Sequence, residues 1–548
     1  LATPPAQHQT SNPLSETSSS RWELYHQLGD RLQVEGKLEE AVSAYHKAIV
    51  RNSKYSWSYH NLGDTYLKLK QWDEAIAAYY RAIELNPNYF WSHYNLAQAY
   101  TQERQWDEAV AVFRTAIDLS SGLNLPHLGL RDTLQKQWTT NFDRANSLMS
   151  SEKEEDALQL YKQAIHTYTK SLPIGCLTLP REAPEKPAIL LIADDYLPQC
   201  LRYRVRQKIE QLEFAGFVVS YFPWREAQEA KNQLHFCDVV IFYRVPALPD
   251  VIEAIEYAKA IQKVVFYEID DLVFDRSEYP DPIESYGGQV SVAEYHGLIR
   301  GTTLFWEAMS LCDYGIASTP LLVEEIEKVV AKRKCFLHRN ALDRLNAEFV
   351  ALKTPKIQRT YLSIFYGSGT KAHDSDFNDL AAPAIARILE KYPQVRLTLM
   401  GYVTLPDVLV PHQERIDRIA LVKEVEIYWE FLRQADINIA VIHDTKFNSC
   451  KSELKWFEAA SLGIPSVVSS TQTYREVIQH GVDGLLASNP DEWFNHLEQL
   501  VTDDKSRQKI AESAYQRVWS EYSVPAMANN IKQIVMAGVR EALKEGRW

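Results

Sequence analysis

Three stretches of this sequence gather residue types that bind anions or move protons. The densest runs Asn448-Ser449-Cys450-Lys451-Ser452-Glu453-Leu454-Lys455-Trp456-Phe457-Glu458 and continues to Leu462-Gly463-Ile464-Pro465. Read as a helix that Gly and Pro bring to a close, it sets Lys451 and Lys455 one turn apart on one face with Ser452 beside them, which suits a diphosphate. Exposed N–H groups at the helix start favour the same charge. The second stretch is Gly367-Ser368-Gly369-Thr370-Lys371-Ala372-His373, directly after the apolar run Tyr361–Tyr366. Its glycines let backbone N–H groups approach a phosphate and Lys371 adds charge, although a plain connector in an α/β sheet has the same composition. The third is the carboxylate pair Asp270-Asp271, which closes the run Val264–Ile269 and could serve an acceptor hydroxyl.

The order and spacing of the Gly367 turn, the Lys451–Ser470 segment and the stretch from Tyr474 through Gly481 and Gly484 to Ala487 extend this pattern. Over about residues 360–520 the chain resembles the donor-binding domain of GT-B glycosyltransferases, particularly glycosyltransferase family 4. The resemblance implies a nucleotide-sugar substrate with no separate cofactor, and Glu458 on the ribose hydroxyls. It also implies a donor site among Asn448, Lys451, Ser452, Lys455, Gly367, Ser368, Gly369, Lys371 and His373, with the diphosphate at Lys451-Ser452, Lys455 and the Gly367–Lys371 turn, and retention of anomeric configuration. One position departs. Many members of that family carry two glutamates separated by seven residues, and the first of these positions is Cys450 here. Either Asn448, Ser449 or Glu453 takes over near the sugar, or a subgroup with a Lys-Ser-x-x-Lys-x-x-Glu pattern handles the donor differently.

Upstream, apolar runs at Ala188–Ala193, Phe217–Phe222, Val239–Tyr243, Val264–Ile269 and Tyr314–Ala317 alternate with helical stretches. That alternation predicts a parallel sheet covered on both faces. With the donor-side segment as a second sheet, two Rossmann-like domains follow, at 188–350 (acceptor side) and 351–524 (donor side). By resemblance, a terminal helix in 525–548 crosses back to the first. Ligands then belong at the carboxyl ends of the strands. Candidates there are Asp270, Asp271 and Arg244, with Arg202 and Arg206, which share a face at i, i+4 and could meet a phosphate or carboxylate. Asp271 could instead cap a turn, and the arginines could pair with the aspartates. The Asp pair is also similar to the manganese motif of GT-A transferases, but the nucleotide signature lies in the other domain, so no metal is expected.

The N-terminal third is repetitive. Gly29, Gly63 and Ala97 are 34 residues apart, as are Ala41, Ala75 and Ala109, then Tyr45, Tyr79 and Phe113, which is the tetratricopeptide period. An array over 21–170 is expected, with an extra helix near 124–136, a fourth unit from about Trp138, a linker at 171–187 and a disordered tail at 1–20. Trp57, His60 and Asn61 recur as Trp91, Tyr94 and Asn95 on the first helices of their repeats. Asn both donates and accepts, matching a peptide backbone, and aromatics supply flat contact area; the same residues could equally be interhelix ties and stack filling. The fold class expected is thus α + α/β: a tetratricopeptide α-solenoid followed by a GT-B pair.

A net charge of −13 over 548 residues argues against a general nucleic-acid binder, which needs a basic surface. No apolar run approaches the roughly 18 residues of a spanning helix, so at most peripheral membrane association is expected. Six cysteines without a C-x-x-C pair point to a reducing cytoplasm. The partners expected are a nucleotide-sugar donor, a glycan, lipid-linked or protein acceptor, and a peptide on the repeats. Two rivals stand beside this reading: a protein O-glycosyltransferase resembling the tetratricopeptide-fused O-linked GlcNAc transferases, and a non-catalytic scaffold whose lost first glutamate marks a repurposed site.

Overall fold

The computed structural model describes residues 20–120, 122–172, 186–352 and 356–547. The expected disordered tail and most of the expected linker lie outside them. The chain forms two compact units, one of described residues up to Asp143 with a few from Lys170, the other of Arg144–Thr169 and the residues from 186 onward.

The first unit is a stack of paired helices: α1 (Arg21–Val34), α2 (Leu38–Arg51), α3 (Ser56–Leu69), α4 (Trp72–Leu85), α5 (Phe90–Gln102), α6 (Trp106–Leu119) and the start of α7 (Leu125–Ser150). Its period has a packing cause. A Cβ on Gly29 would lie 2.6 Å from the Tyr45 ring and one on Gly63 2.7 Å from the Tyr79 ring, so a residue without a side chain is required where the aromatic of the second helix crosses the first. Ala41, Ala75 and Ala109, all fully buried, keep the crossing close.

Most of the residues proposed to line a groove are engaged in this packing, although Trp57 remains exposed. Asn61 Nδ2 donates to Asp30 Oδ1 at 2.8 Å, and Asn95 Nδ2 to Asp64 Oδ1 at 2.8 Å. Each aspartate also accepts the hydroxyl of the repeat tyrosine, Tyr45 or Tyr79. His60 is buried on Ser92, and Tyr94, 9% exposed, accepts from Gln98. Trp57 packs on Tyr89 with ring centroids 4.6 Å apart, and Trp91 lies against Phe90 and Tyr94. These asparagines are inter-repeat ties. Replacing Asn61 by Ala should therefore cost about 0.5–1.5 kcal/mol, read as a lowered midpoint in denaturant; an unchanged midpoint would return Asn61 to the groove.

No separate extra helix forms near 124–136, because nothing between Leu130 and Ser150 breaks a helix, and α7 runs on unbroken. The second unit takes up the fourth repeat-like pair, the end of α7 and α8 (Glu154–Ser171). The boundary therefore falls at 143/144 rather than near 170. Asn146 accepts from Arg300 at 2.8 Å, Glu154 pairs with Arg276, and the Tyr168 hydroxyl donates to Glu253 at 2.8 Å.

The rest of the second unit holds two six-stranded parallel sheets. The first is ordered β2 (Val219–Pro223), β1 (Ile189–Ala193), β3 (Val239–Tyr243), β4 (Val264–Glu268), β5 (Tyr314–Ala317), β6 (Cys335–Leu337); the second β12 (Leu485–Ala487), β11 (Ser466–Ser469), β10 (Ile437–Ala440), β7 (Leu362–Ser368), β8 (Val395–Gly401), β9 (Ile416–Ile419). Strands β1, β3 and β4 are buried along their whole length, as expected of apolar runs covered on both faces. The helix Val524–Lys544 packs on the first sheet: Ile531, Ile534, Val535 and Val539 join its core, and a Cβ on Gly538 would meet Phe266 at 2.5 Å. Arg547 then pairs with Asp313 at 2.7 Å. Among the described residues no helix is long and apolar enough to cross a membrane.

Candidate functional site

In the second sheet β7 and β10 are neighbours, and the strand order reverses between them. A parallel sheet opens a crevice at the carboxyl ends of strands at such a point. Here β7 delivers Gly367 and Ser368, and Thr370 Oγ1 accepts from Ala372 N at 3.2 Å to start the turn Lys371–His373. A Cβ on Gly369 would meet nothing within 4 Å, so this backbone is open to approach. From β10 the chain passes His443 and the short helix Lys446–Ser449 before reaching Lys451.

The two loops meet at Lys451, whose Nζ lies 2.8 Å from His373 Nε2, while His373 Nδ1 lies 2.8 Å from Asp376 Oδ2. Burial and the neighbouring Lys451 charge hold His373 below its ordinary pKa. The ring is then neutral, donating from Nδ1 to Asp376 and accepting at Nε2 from Lys451. His443 Nε2 stands 3.7 Å from Asp376 and 3.3 Å from Asp379. Burial also lowers the pKa of Lys451 against the pull of Asp271, and that of Lys455 against the pull of Glu458. Lys455 Nζ lies 5.7 Å from the centre of the Tyr428 ring. Among the described residues neither ammonium has a carboxylate within ion-pair distance. Both are enclosed by protein yet still partly open to solvent, and two cations without a paired carboxylate among the described residues suit an anion.

Lys451 and Lys455 do not share a helix face. The helix spans Leu454–Ser461, and Lys451 precedes it. The chain turns there because Ser452 and Glu453 are held from the other side. Ser452 Oγ accepts from Asn340 at 2.8 Å, and fully buried Glu453 accepts from Arg339 at 3.2 Å and from the Tyr522 hydroxyl at 2.7 Å. Ser452 Oγ is thereby tied to Asn340 as an acceptor while its hydroxyl keeps a proton to donate. Lys371 points elsewhere, its side chain lying over Gly287.

Of the residues that could stand in for the missing acid, Glu453 and Ser449 are engaged elsewhere and Asn448 keeps a free amide oxygen. Burial pushes the Cys450 thiol up to about 12, Glu453 is spent as described, and Ser449 Oγ donates to Asp444 at 2.8 Å. Asn448 donates to the His443 carbonyl at 3.1 Å and leaves its Oδ1 buried without a hydrogen-bond partner. Glu458, 4% exposed, accepts at Oε1 from the Tyr203 hydroxyl and from Trp429 Nε1, the latter at 3.1 Å. Its Oε2 has no hydrogen-bond partner among the described residues, and burial raises its pKa.

Across the cleft the first sheet contributes the ends of β3 and β4. Arg244 holds a left-handed backbone with φ 51°, uncommon for a residue with a Cβ. Its Nη1 lies 3.3 Å from Asp270 Oδ1, and the Cys200 thiol donates to Asp270 Oδ2 at 3.4 Å. Asp270 is thus an ion-pair partner, and Arg244 is occupied with it. Asp271 is different: no hydrogen bond or ion pair among the described residues engages its carboxylate. Burial and Asp270 raise its pKa, and the Lys451 charge opposes them. Asp271 thus offers a carboxylate without a partner among the described residues, close enough to Lys451 for the two charges to act on each other. Among the described residues no three His, Cys, Asp or Glu side chains are grouped to hold a metal ion.

The two arginines after β1 do not act as a pair. Arg202 is tied to Asp343 and Asn346 at 2.8 and 3.1 Å and lies over Trp429, while Arg206 is exposed. Sequence reasoning missed Tyr203, Arg204, Asp376, His443 and Trp429. Asp376 had a signal in its spacing, three residues past His373; Trp429 had none.

A sequence family described as "Glycosyl transferase-like" matches residues 382–533, and tetratricopeptide-repeat families match residues 44–77, 63–103 and 92–126. The chain thus carries tetratricopeptide repeats and a glycosyltransferase-like domain. Among solved structures it is similar to an O-GlcNAc transferase mutant from Thermobaculum terrenum, with 13% identity, a TM-score of 0.39, and coverage of 96% of this chain and 100% of that one. It is also similar to the first tetratricopeptide domain of Spaghetti (RPAP3) bound to an HSP90 peptide, with 20% identity, a TM-score of 0.21, and coverage of 22% of this chain and 94% of that one. No curated protein matches the chain.

Proposed function

We propose that the second unit transfers a sugar from a nucleotide-sugar donor to a glycan, lipid-linked or protein acceptor, without a metal ion and with retention. The observation that carries this reading is the pair Lys451 and Lys455, which follow the strand β10 at the switch point of the second sheet and have no counter-ion among the described residues. A diphosphate leaving group gathers negative charge as the glycosidic bond breaks, and fixed cations in a water-poor cleft stabilise that charge most where it develops. Asp376, through His373, fixes the direction of the Lys451 ammonium. Glu458 Oε2, without a hydrogen-bond partner among the described residues, would accept from a ribose hydroxyl, and Asp271, with its raised pKa, is suited to take the proton of the acceptor hydroxyl. The repeats hold a peptide or protein partner on surfaces other than the Asn61 and Asn95 amides, which makes a protein acceptor one outcome of this reading.

A panel of UDP-, GDP-, dTDP- and CMP-sugars tests the reading by thermal shift in the presence of EDTA. A ligand at 100 times its dissociation constant stabilises by about 2.7 kcal/mol, and slow donor hydrolysis should persist under chelation. Silence from every donor would favour the scaffold suggested by Cys450. Activity lost to EDTA and restored by manganese would instead make Asp270 and Asp271 metal ligands.

A further inference from the structure

We propose that Tyr203 is a positioning residue for donor ribose, so that ribose recognition is shared between the two Rossmann-like halves. The inference rests on the donor reading above. Tyr203 follows β1 of the first half, yet its hydroxyl donates to Glu458 Oε1 in the second, and its ring meets Phe457 edge-on at 6.3 Å. Trp429 Nε1 donates to the same oxygen. With Oε1 held twice, the carboxylate cannot swing, and Oε2 is the oxygen presented to a sugar hydroxyl. A carboxylate that is 4% exposed is useful to a ligand only if so oriented.

The segment bearing Tyr203 is built to hold it. Leu201–Arg206 is a π-helical turn, a wide turn often found at functional sites. Three consecutive residues of the turn, Arg202, Tyr203 and Arg204, grip in three directions. Arg202 stacks 4.7 Å over Trp429, the other donor to Oε1, and is anchored by Asp343 and Asn346. Tyr203 takes Glu458. Arg204 reaches back to Glu268 at 2.8 Å and to Asn340 at 2.9 Å. Tyr203 thus reaches the carboxylate itself and Arg202 the ring that also donates to it, while Arg204 fixes the turn to its own sheet.

The test compares UDP and GDP with their 2′-deoxy counterparts by calorimetry on the full chain, wild type against Tyr203→Phe, which keeps the ring and removes the hydroxyl. The wild type should lose about tenfold in affinity when the 2′ hydroxyl is removed, and Tyr203→Phe should bind the ribonucleotide about tenfold more weakly. The decisive readout is the discrimination itself: in Tyr203→Phe the ribose-to-deoxyribose ratio should fall towards one. Trp429→Phe, which removes the other donor from the same oxygen, should lower that ratio as well and serves if the first variant folds poorly. A Tyr203→Phe protein that keeps the full ratio overturns the inference and leaves the donor site standing. Tighter ribonucleotide binding by that variant also overturns it, since Tyr203 would then be a plug competing with ribose. Failure of the wild type to bind either ribonucleotide, or any donor of the panel, would sink the donor reading and this inference with it.

Discussion

Lys451→Met should lower donor turnover by about 10²–10³-fold, the usual cost of removing one preorganised group from the place where transition-state charge develops. Methionine keeps most of the length and loses the ammonium, so the His373 contact and the electrostatic attraction to a diphosphate disappear together. Binding of the uncharged nucleoside should change little, while that of the nucleoside diphosphate should weaken markedly. Stability should move the other way. Burial already lowers the pKa of Lys451, and among the described residues no carboxylate lies within ion-pair distance, so its charge is a liability in the ligand-free protein. Removing it should leave the melting temperature equal to or above that of the parent. Loss of turnover without loss of stability marks a functional cation; a lower melting temperature with unchanged kcat/KM would make Lys451 a packing residue.

The sequence disclosed the elements more fully than the site, for physical reasons. The strands β1, β3, β4 and β5 are buried on both faces, and burial writes itself as continuous apolar runs. The edge strand β6 is only Cys335–Leu337 and partly exposed, so its composition carried no such mark. The repeats were legible because each tyrosine needs a glycine opposite it at a fixed spacing. That same regularity made Asn61 and Asn95 look like a ladder for a ligand, when their recurrence reflects an aspartate repeated on the neighbouring first helix.

The site was half visible. Lys451, Lys455 and Glu458 announce themselves by type and spacing, but the partners that decide their roles are distant. Tyr203 is 255 residues from Glu458, and Glu453 is claimed by Arg339, 114 residues away. A carboxylate in sequence does not reveal whether a distant cation has taken it. For that reason Asp270 and Asp271, adjacent and identical in type, were indistinguishable until Arg244 and Cys200 were seen to occupy the first. Arg204, between the two arginines that drew attention, carries the larger structural load because it alone is buried at the end of β4.

That burial leads to the second large effect. Glu268→Gln should destabilise the protein by about 3–5 kcal/mol, the cost of leaving buried charge uncompensated. Glu268 is fully buried and takes two cations, Arg204 at 2.8 Å and Lys208 at 2.7 Å, both 1% exposed. Glutamine keeps the shape and leaves both without an anion. The loss should grow as pH falls. Burial pushes Lys208 down to about 7 in the folded protein against the pull of Glu268, whereas the unfolded chain keeps it near its ordinary, much higher value. Above about 7 the folded parent can hold Lys208 neutral, and the substitution strands chiefly Arg204. Below about 7 the parent carries the Lys208 charge on Glu268, and the variant has no anion to receive it. Denaturant unfolding at pH 6 and pH 9 should show the larger difference from the parent at pH 6. The turn Leu201–Arg206 hangs on this pair through Arg204, so ribose discrimination should weaken in the variant even where it remains folded. Equal destabilisation at both pH values would mean that Lys208 does not titrate between them; a loss under about 1 kcal/mol would mean that water or a relaxed backbone solvates Arg204, and that the turn carrying Tyr203 is held by its other contacts.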